Sequence, residues 1–140
     1  MSKRLITIAI DAMGGENSPF KCLKGLEIFS NSHDNVNFKI FGDESIISNL
    51  IKSNKLEIKN YELINCTENV KDKDNVNIIL RSRKNSSIYK GLLFVKENPN
   101  SGFVSAGNTA GLMVLSRLIL GMIDGVSRPA ICSKIPNNKS

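Results

Sequence analysis

The chain has 140 residues, 41% of them hydrophobic and 23% charged, with a formal charge of +6 and a pI near 9.3. That is one domain's worth of ordinary soluble protein, which excludes a disordered or membrane-embedded chain. The basic balance does not imply a nucleic-acid partner: Lys and Arg are scattered among acids and Asn, and two Tyr with no Trp leave little for base stacking. A solvated surface, or an acidic partner or substrate, accounts for the charge instead.

In chain order, Leu5–Ile10 is rich in β-branched residues and reads as a buried strand ending at Asp11-Ala12-Met13-Gly14-Gly15. Asn17-Ser18-Pro19 marks a helix start, a capping side chain followed by proline at the first helical position. This helix is expected to run to about Ser30, with Cys22, Leu23, Leu26 and Phe29 near helical spacing. Val36–Phe41, closed by Gly42-Asp43, is a second strand, and Ile46, Ile47, Leu50 and Ile51 mark an amphipathic helix. Tyr61–Cys66 is a third strand. Thr67–Asn77 is polar and reads as a loop, while Val76–Lys84 fits no single template. Ser86 or Ser87 can cap the next helix, which presents Ile88, Leu92, Leu93 and Val95 and ends near Asn98-Pro99. Gly102–Ser105 is a short buried strand, and Ala110–Leu120, apolar nearly all round, is a helix packed on several sides. Arg128-Pro129 introduces a last strand, Ala130–Lys134.

Strand–helix alternation of this kind predicts a single α/β domain over residues 1–140, Rossmann-like and three-layered. Its sheet is mostly parallel with helices on both faces, and incomplete. The polar ending Pro136-Asn137-Asn138-Lys139-Ser140 supplies no closing element, as expected of the N-terminal portion of a longer enzyme. No signal peptide is expected, because the first apolar stretch is broken by Asp11 and lacks a cleavage site. The apolar stretch around Ala110–Leu120 is too short to span a bilayer. A cytoplasmic location follows, with peripheral membrane contact left open. The dispersed Cys22, Cys66 and Cys132 each lie in an apolar setting and read as buried free thiols.

Ligands of such sheets bind beyond the carboxyl ends of the strands. Two glycine turns follow strands and precede helices, Met13-Gly14-Gly15 and Ala106-Gly107-Asn108. In Ser105-Ala106-Gly107-Asn108-Thr109, free backbone N–H groups at a helix start form an anion site; Gly107 gives access, and Asn108 or Thr109 can donate from their side chains. The plainer alternative is that Asn108 or Thr109 only caps the helix. Asp11, at the end of the first strand, either faces the ligand cleft beside Gly14 and Gly15 or braces the turn. The third glycine of a dinucleotide fingerprint is missing, so no such cofactor is expected. Arg81-Ser82-Arg83-Lys84-Asn85-Ser86-Ser87 offers Arg donors and hydroxyls suited to phosphate or an acidic partner, or else is a solvated basic loop. His33 has no companion and reads as an exposed loop residue. With no nucleophile elbow, His–carboxylate pair or metal-ligand spacing, no metal is expected, and any chemistry rests on positioning and electrostatics.

Taken together, Ile8-Ala9-Ile10-Asp11-Ala12-Met13-Gly14-Gly15-Glu16, Arg83-Lys84-Asn85-Ser86-Ser87, Ser105–Thr109 and Gly125-Val126-Ser127-Arg128-Pro129-Ala130 resemble the phosphate acyltransferases of bacterial phospholipid synthesis, the PlsX family. The family usually has Asp at Glu16 and Gly-Ala at Ala110-Gly111, and its members are more than twice as long. The resemblance implies a fold like those of isopropylmalate dehydrogenases and phosphotransacetylases. It also implies transfer of a long-chain acyl group from acyl carrier protein to inorganic phosphate, giving an acyl phosphate that a second acyltransferase uses on the way to phosphatidic acid. The family's members are homodimers that can associate with the membrane. On this reading Asn108 and Thr109 donate to phosphate or oxyanion and Asp11 organises the facing turn. Gly14, Gly15, Ser105, Gly107, Arg83, Lys84 and Ser86 complete the phosphate and substrate contacts, Arg83 or Lys84 serving phosphate or carrier protein. The chain by itself is then expected to be inactive. Rival readings are a short-chain phosphotransacetylase using coenzyme A, a truncated relic, and an acidic-protein-binding module.

Overall fold

A computed structural model of the chain describes residues 6–68, 70, 74 and 76–132. Its elements run β1 (Ile6–Asp11), α1 (Phe20–Ser32), β2 (Val36–Gly42), α2 (Glu44–Ser53), β3 (Tyr61–Asn65), α3 (Val76–Ser82), α4 (Ser87–Glu97), β4 (Ser101–Ser105) and α5 (Thr109–Leu120). The strands form one sheet of order β3-β2-β1-β4, every pairing parallel. After β1 the chain adds β2 and β3 on one side, then crosses back to lay β4 on the other. Asp11 therefore lies in register with Phe41 of β2 and with Ser105 of β4.

Both faces of the sheet are covered at its centre, which is why β1 is apolar in consecutive positions rather than alternating. On one face Ile8, Ile10, Phe38, Ile40 and Leu63 pack with Leu23 and Leu26 of α1 and Ile47 of α2. On the other, Ala9, Phe41, Ile64 and Phe103 meet Phe94 and Val95 of α4. A third cluster joins Ile79 of α3, Ile88 and Leu92 of α4, and Leu115 and Ile119 of α5. The central strands β1 and β2 thus lie between helices, the α/β arrangement expected from the alternation, while the edge strands leave Tyr61 and Val104 exposed.

Several boundaries differ from the sequence reading, each for a local reason. Pro19 is the N-cap of α1 and makes no side-chain cap, so the helix opens at Phe20. Asn17 has φ 58°, and the Ser18 hydroxyl bonds back to the Gly14 carbonyl, so both residues close the glycine turn instead of capping. Phe29 is 44% exposed, its ring stacked on His33 and edge-on to Phe38. The ambiguous stretch at Val76 forms α3, a helix of seven residues, too short for apolar spacing to declare its period. Of the expected loop Thr67–Asn77, the residues numbered 69, 71–73 and 75 lie outside the described residues, as does Leu5.

The two C-terminal expectations are corrected. In α5 only Leu115 and Ile119 are buried, while Leu118 is 55% exposed; the helix packs on α3 and α4 and not on several sides. Apolar side chains permit burial all round but do not supply partners on every side. Ala130, Ile131 and Cys132 form no strand, and Ser133 and Lys134 lie outside the described residues. Of the three thiols only Cys66 is fully buried; Cys22 is half-buried and Cys132 exposed.

Candidate functional site

The end of β1 carries a carboxylate into the protein. Asp11 is 4% exposed, and a buried carboxylate needs donors. Its Oδ1 accepts the backbone N–H groups of Met13 and Gly14, both at 3.1 Å, and the Ser87 hydroxyl at 2.6 Å. Its Oδ2 accepts the Ser105 hydroxyl at 2.7 Å. The Met13 and Gly14 bonds close a side-chain turn of the kind Asp favours. The bonds from Ser87 and Ser105 tie β1 to the start of α4 and the end of β4.

Around that carboxylate the two glycine turns touch. A Cβ on Gly14 would lie 2.5 Å from Asp11 Oδ2 and 2.9 Å from the Gly107 nitrogen, so only glycine lets the turns approach this closely. Gly15 has φ +93°, a left-handed conformation. Across the gap, Ser105 Oγ accepts the Gly107 N–H at 3.1 Å while donating to Asp11. One carboxylate thereby fixes both turns.

Immediately after Gly107, helix α5 begins. Asn108 is its N-cap, and Asn108 Oδ1 accepts the Gly111 N–H at 2.8 Å. Among the described residues no acceptor meets the N–H groups of Thr109 and Ala110 or the Asn108 Nδ2. These donors stand at the positive end of the helix, where an anion is favoured.

A cavity of about 450 Å³ opens between these elements. Asp11, Gly14, Gly15, Gly107 and Asn108 form its polar floor, and Val70, Ile79 and Ile88 an apolar wall. Glu16 and Asp74 also line it, and no Lys or Arg among the described residues does. Burial pushes the neighbouring Cys22 thiol up to about 11, helped by the Asp11 charge, and burial likewise raises Cys66 to about 11.

Comparison with known proteins settles the family. The chain matches the family described as "fatty acid synthesis protein" over residues 6–140. It belongs to that family. Similar proteins include the phosphate acyltransferases of Pelagibacter ubique (strain HTCC1062), 39% identical over all of the chain and 41% of that protein, and of Wolbachia pipientis subsp. Culex pipiens (strain wPip), 41% identical over 94% of the chain and 39% of that protein. A third, from Caldicellulosiruptor saccharolyticus, is 36% identical over 92% of the chain and 39% of its own length. The chain spans about two fifths of the length of these relatives.

The residues singled out from sequence fall into three groups. Asp11, Gly14, Gly15, Gly107 and Asn108 come together at the cavity, with Ser105 holding them from behind. Asp11 lines the cavity and braces the turn, and Asn108 lines it and caps α5. Thr109 opens α5 as an exposed residue, its backbone N–H the relevant group.

The basic stretch is placed differently. Arg83 Nε donates to Asp74 Oδ2 at 3.2 Å, and neither Arg83 nor exposed Lys84 lines the cavity. Ser86 is fully buried as the cap of α4, accepting from the Tyr89 N–H and donating to the Arg83 carbonyl. The cavity position belongs to its neighbour Ser87, which the sequence offered as a helix cap and as one of the hydroxyls of the basic stretch. Adjacent serines at a helix start give no local sign of which one caps. His33 is exposed, its Nδ1 against the Phe29 carbonyl. Among the described residues no helix is long and apolar enough to cross a membrane.

Proposed function

We propose that this family member contributes the phosphate-holding half of an acyl-phosphate-forming site, its substrates a long-chain acyl–acyl carrier protein and inorganic phosphate. The observation that carries this reading is the meeting of the two glycine turns over Asp11 at the cavity where α5 presents its unpaired N–H groups. Phosphate needs donors and close backbone approach, and both are available there. In the reaction a phosphate oxygen attacks the thioester carbonyl carbon, the C–O bond forms, the C–S bond breaks, and the carrier leaves as a thiol after taking a proton. The N–H groups of Thr109 and Ala110 and the Asn108 amide would hold the phosphate or the developing oxyanion.

The relatives named phosphate acyltransferase support the same class of chemistry. The apolar wall of Val70, Ile79 and Ile88 favours a long acyl chain over an acetyl group, and a charge of +6 suits an acidic carrier protein. The product would serve a later acyltransferase on the way to phosphatidic acid, with the enzyme a homodimer in the cytoplasm that touches the membrane peripherally.

The test joins this chain to the remainder of the Pelagibacter ubique relative and assays phosphate-dependent acyl-phosphate formation. Palmitoyl–carrier protein should be consumed and acetyl-coenzyme A ignored. A folded Asn108→Ala variant should lose activity by about a hundredfold, as when one oxyanion donor is removed. Preference for acetyl-coenzyme A, or full activity in Asn108→Ala, sinks the reading.

A further inference from the structure

Ser87 is the first residue of α4, 5% exposed, and lines the cavity. Its hydroxyl makes the shortest of the contacts to Asp11, 2.6 Å, from 76 residues away along the chain. The other two groups on the same oxygen, the Met13 and Gly14 N–H, are local to the turn. They hold the carboxylate to its own turn, whereas Ser87 ties it to a separate helix. The opposite oxygen accepts the Ser105 hydroxyl at 2.7 Å. A small rotation of the carboxylate therefore withdraws Oδ2 from Ser105, and Ser105 is the group that accepts the Gly107 N–H.

We propose that Ser87 is a positioning residue for the anion site: through Asp11 and Ser105 it holds the Gly107 turn so that the start of α5 faces the cavity. The chain of contacts runs Ser87 hydroxyl to Asp11, Ser105 hydroxyl to Asp11, and Gly107 N–H to Ser105. It links α4, β1, β4 and the turn at the head of α5 through three hydrogen bonds. The anion-holding part of this inference rests on the proposed function; the coupling of Ser87 to Gly107 does not.

The experiment uses the chain labelled with nitrogen-15 and reads two quantities, hydrogen exchange at the Gly107 amide and the shifts of the Thr109 and Ala110 amides on titration with inorganic phosphate. Ser87→Ala should speed Gly107 exchange by about tenfold, the effect of weakening one hydrogen bond, and weaken phosphate binding by a similar factor. Ser87→Thr, which keeps the hydroxyl, should restore both. In Ser105→Ala the Gly107 amide is already released, so adding Ser87→Ala should change its exchange little further. A folded Ser87→Ala with unchanged Gly107 exchange, or effects of the two substitutions that simply add, overturns the coupling. If Ser87→Ala does not fold, Ser87→Cys decides by the same readout, since it preserves the volume and donates only weakly. Absence of any phosphate-induced shift in the parent chain removes the anion role, while Gly107 exchange still judges the coupling.

Discussion

The ends of β1 and β4 bring polar groups to the cavity and hold them in place, whereas the basic stretch Arg83-Lys84 stays outside its lining. Asp11 is almost wholly buried and engaged by Met13, Gly14, Ser87 and Ser105. Lys84 is exposed, and Arg83 is spent on Asp74. Charge on a surface attracts from a distance and is screened, whereas a buried, saturated carboxylate dictates where its donors must stand. The difference teaches that placement at this site comes from a central acid and closely packed glycines, with cations left outside.

The largest expected effect that would sharpen this contrast is Asp11→Ala. It strands buried donors on three elements and should lower stability by about 3 kcal/mol or more, read by urea denaturation. Stability within error of the parent would break the comparison. Next comes Gly14→Ala, whose methyl would intrude on both the Asp11 carboxylate and the Gly107 nitrogen. Overpacking of this kind costs about 2 kcal/mol, and the loss should be visible as a lower melting temperature.

Alkaline titration should have a smaller effect. The folded-state pKa values of Cys22 and Cys66 are raised from an ordinary value near 9 to about 11, so the folded protein favours the protonated thiols. Their contribution to stability is full below about pH 9 and is lost as pH rises toward 11. The melting temperature should fall across that window, and less so in a Cys22→Ser, Cys66→Ser variant compared with its own value at pH 8. Smallest of all is Lys84→Ala, expected to shift stability by no more than about 0.5 kcal/mol; a loss comparable to that of Asp11→Ala would place this stretch inside the machinery.

Much of the architecture was legible in local pattern. β-branched runs located β1 and β2, the spacing of Ile47, Leu50 and Ile51 located α2, and a serine before Ile88 located the cap of α4. The failures share a cause, which is that a residue's role depended on a partner distant in sequence. Asn17 and Ser18 have the chemistry of caps, but the Gly14 carbonyl recruits the Ser18 hydroxyl. Leu118 has the hydropathy of core, yet it is 55% exposed, on a helix whose buried residues Leu115 and Ile119 face α3 and α4. The pair Ser86 and Ser87 is indistinguishable in one dimension; the first turn of α4 sends one to its own backbone and the other to Asp11.

By itself the sequence determined the four strands, the helices α1, α2, α4 and α5, and that two glycine turns follow strand ends, because periodicity, β-branching and glycine act over a few residues. Only the tertiary structure decided that those turns meet. β4 returns to the far side of β1, which sets Ser105 beside Asp11 across 94 residues of chain. Strand order is chosen by burying both faces and edges of β1 at once, a property of the packed sheet that no local window contains.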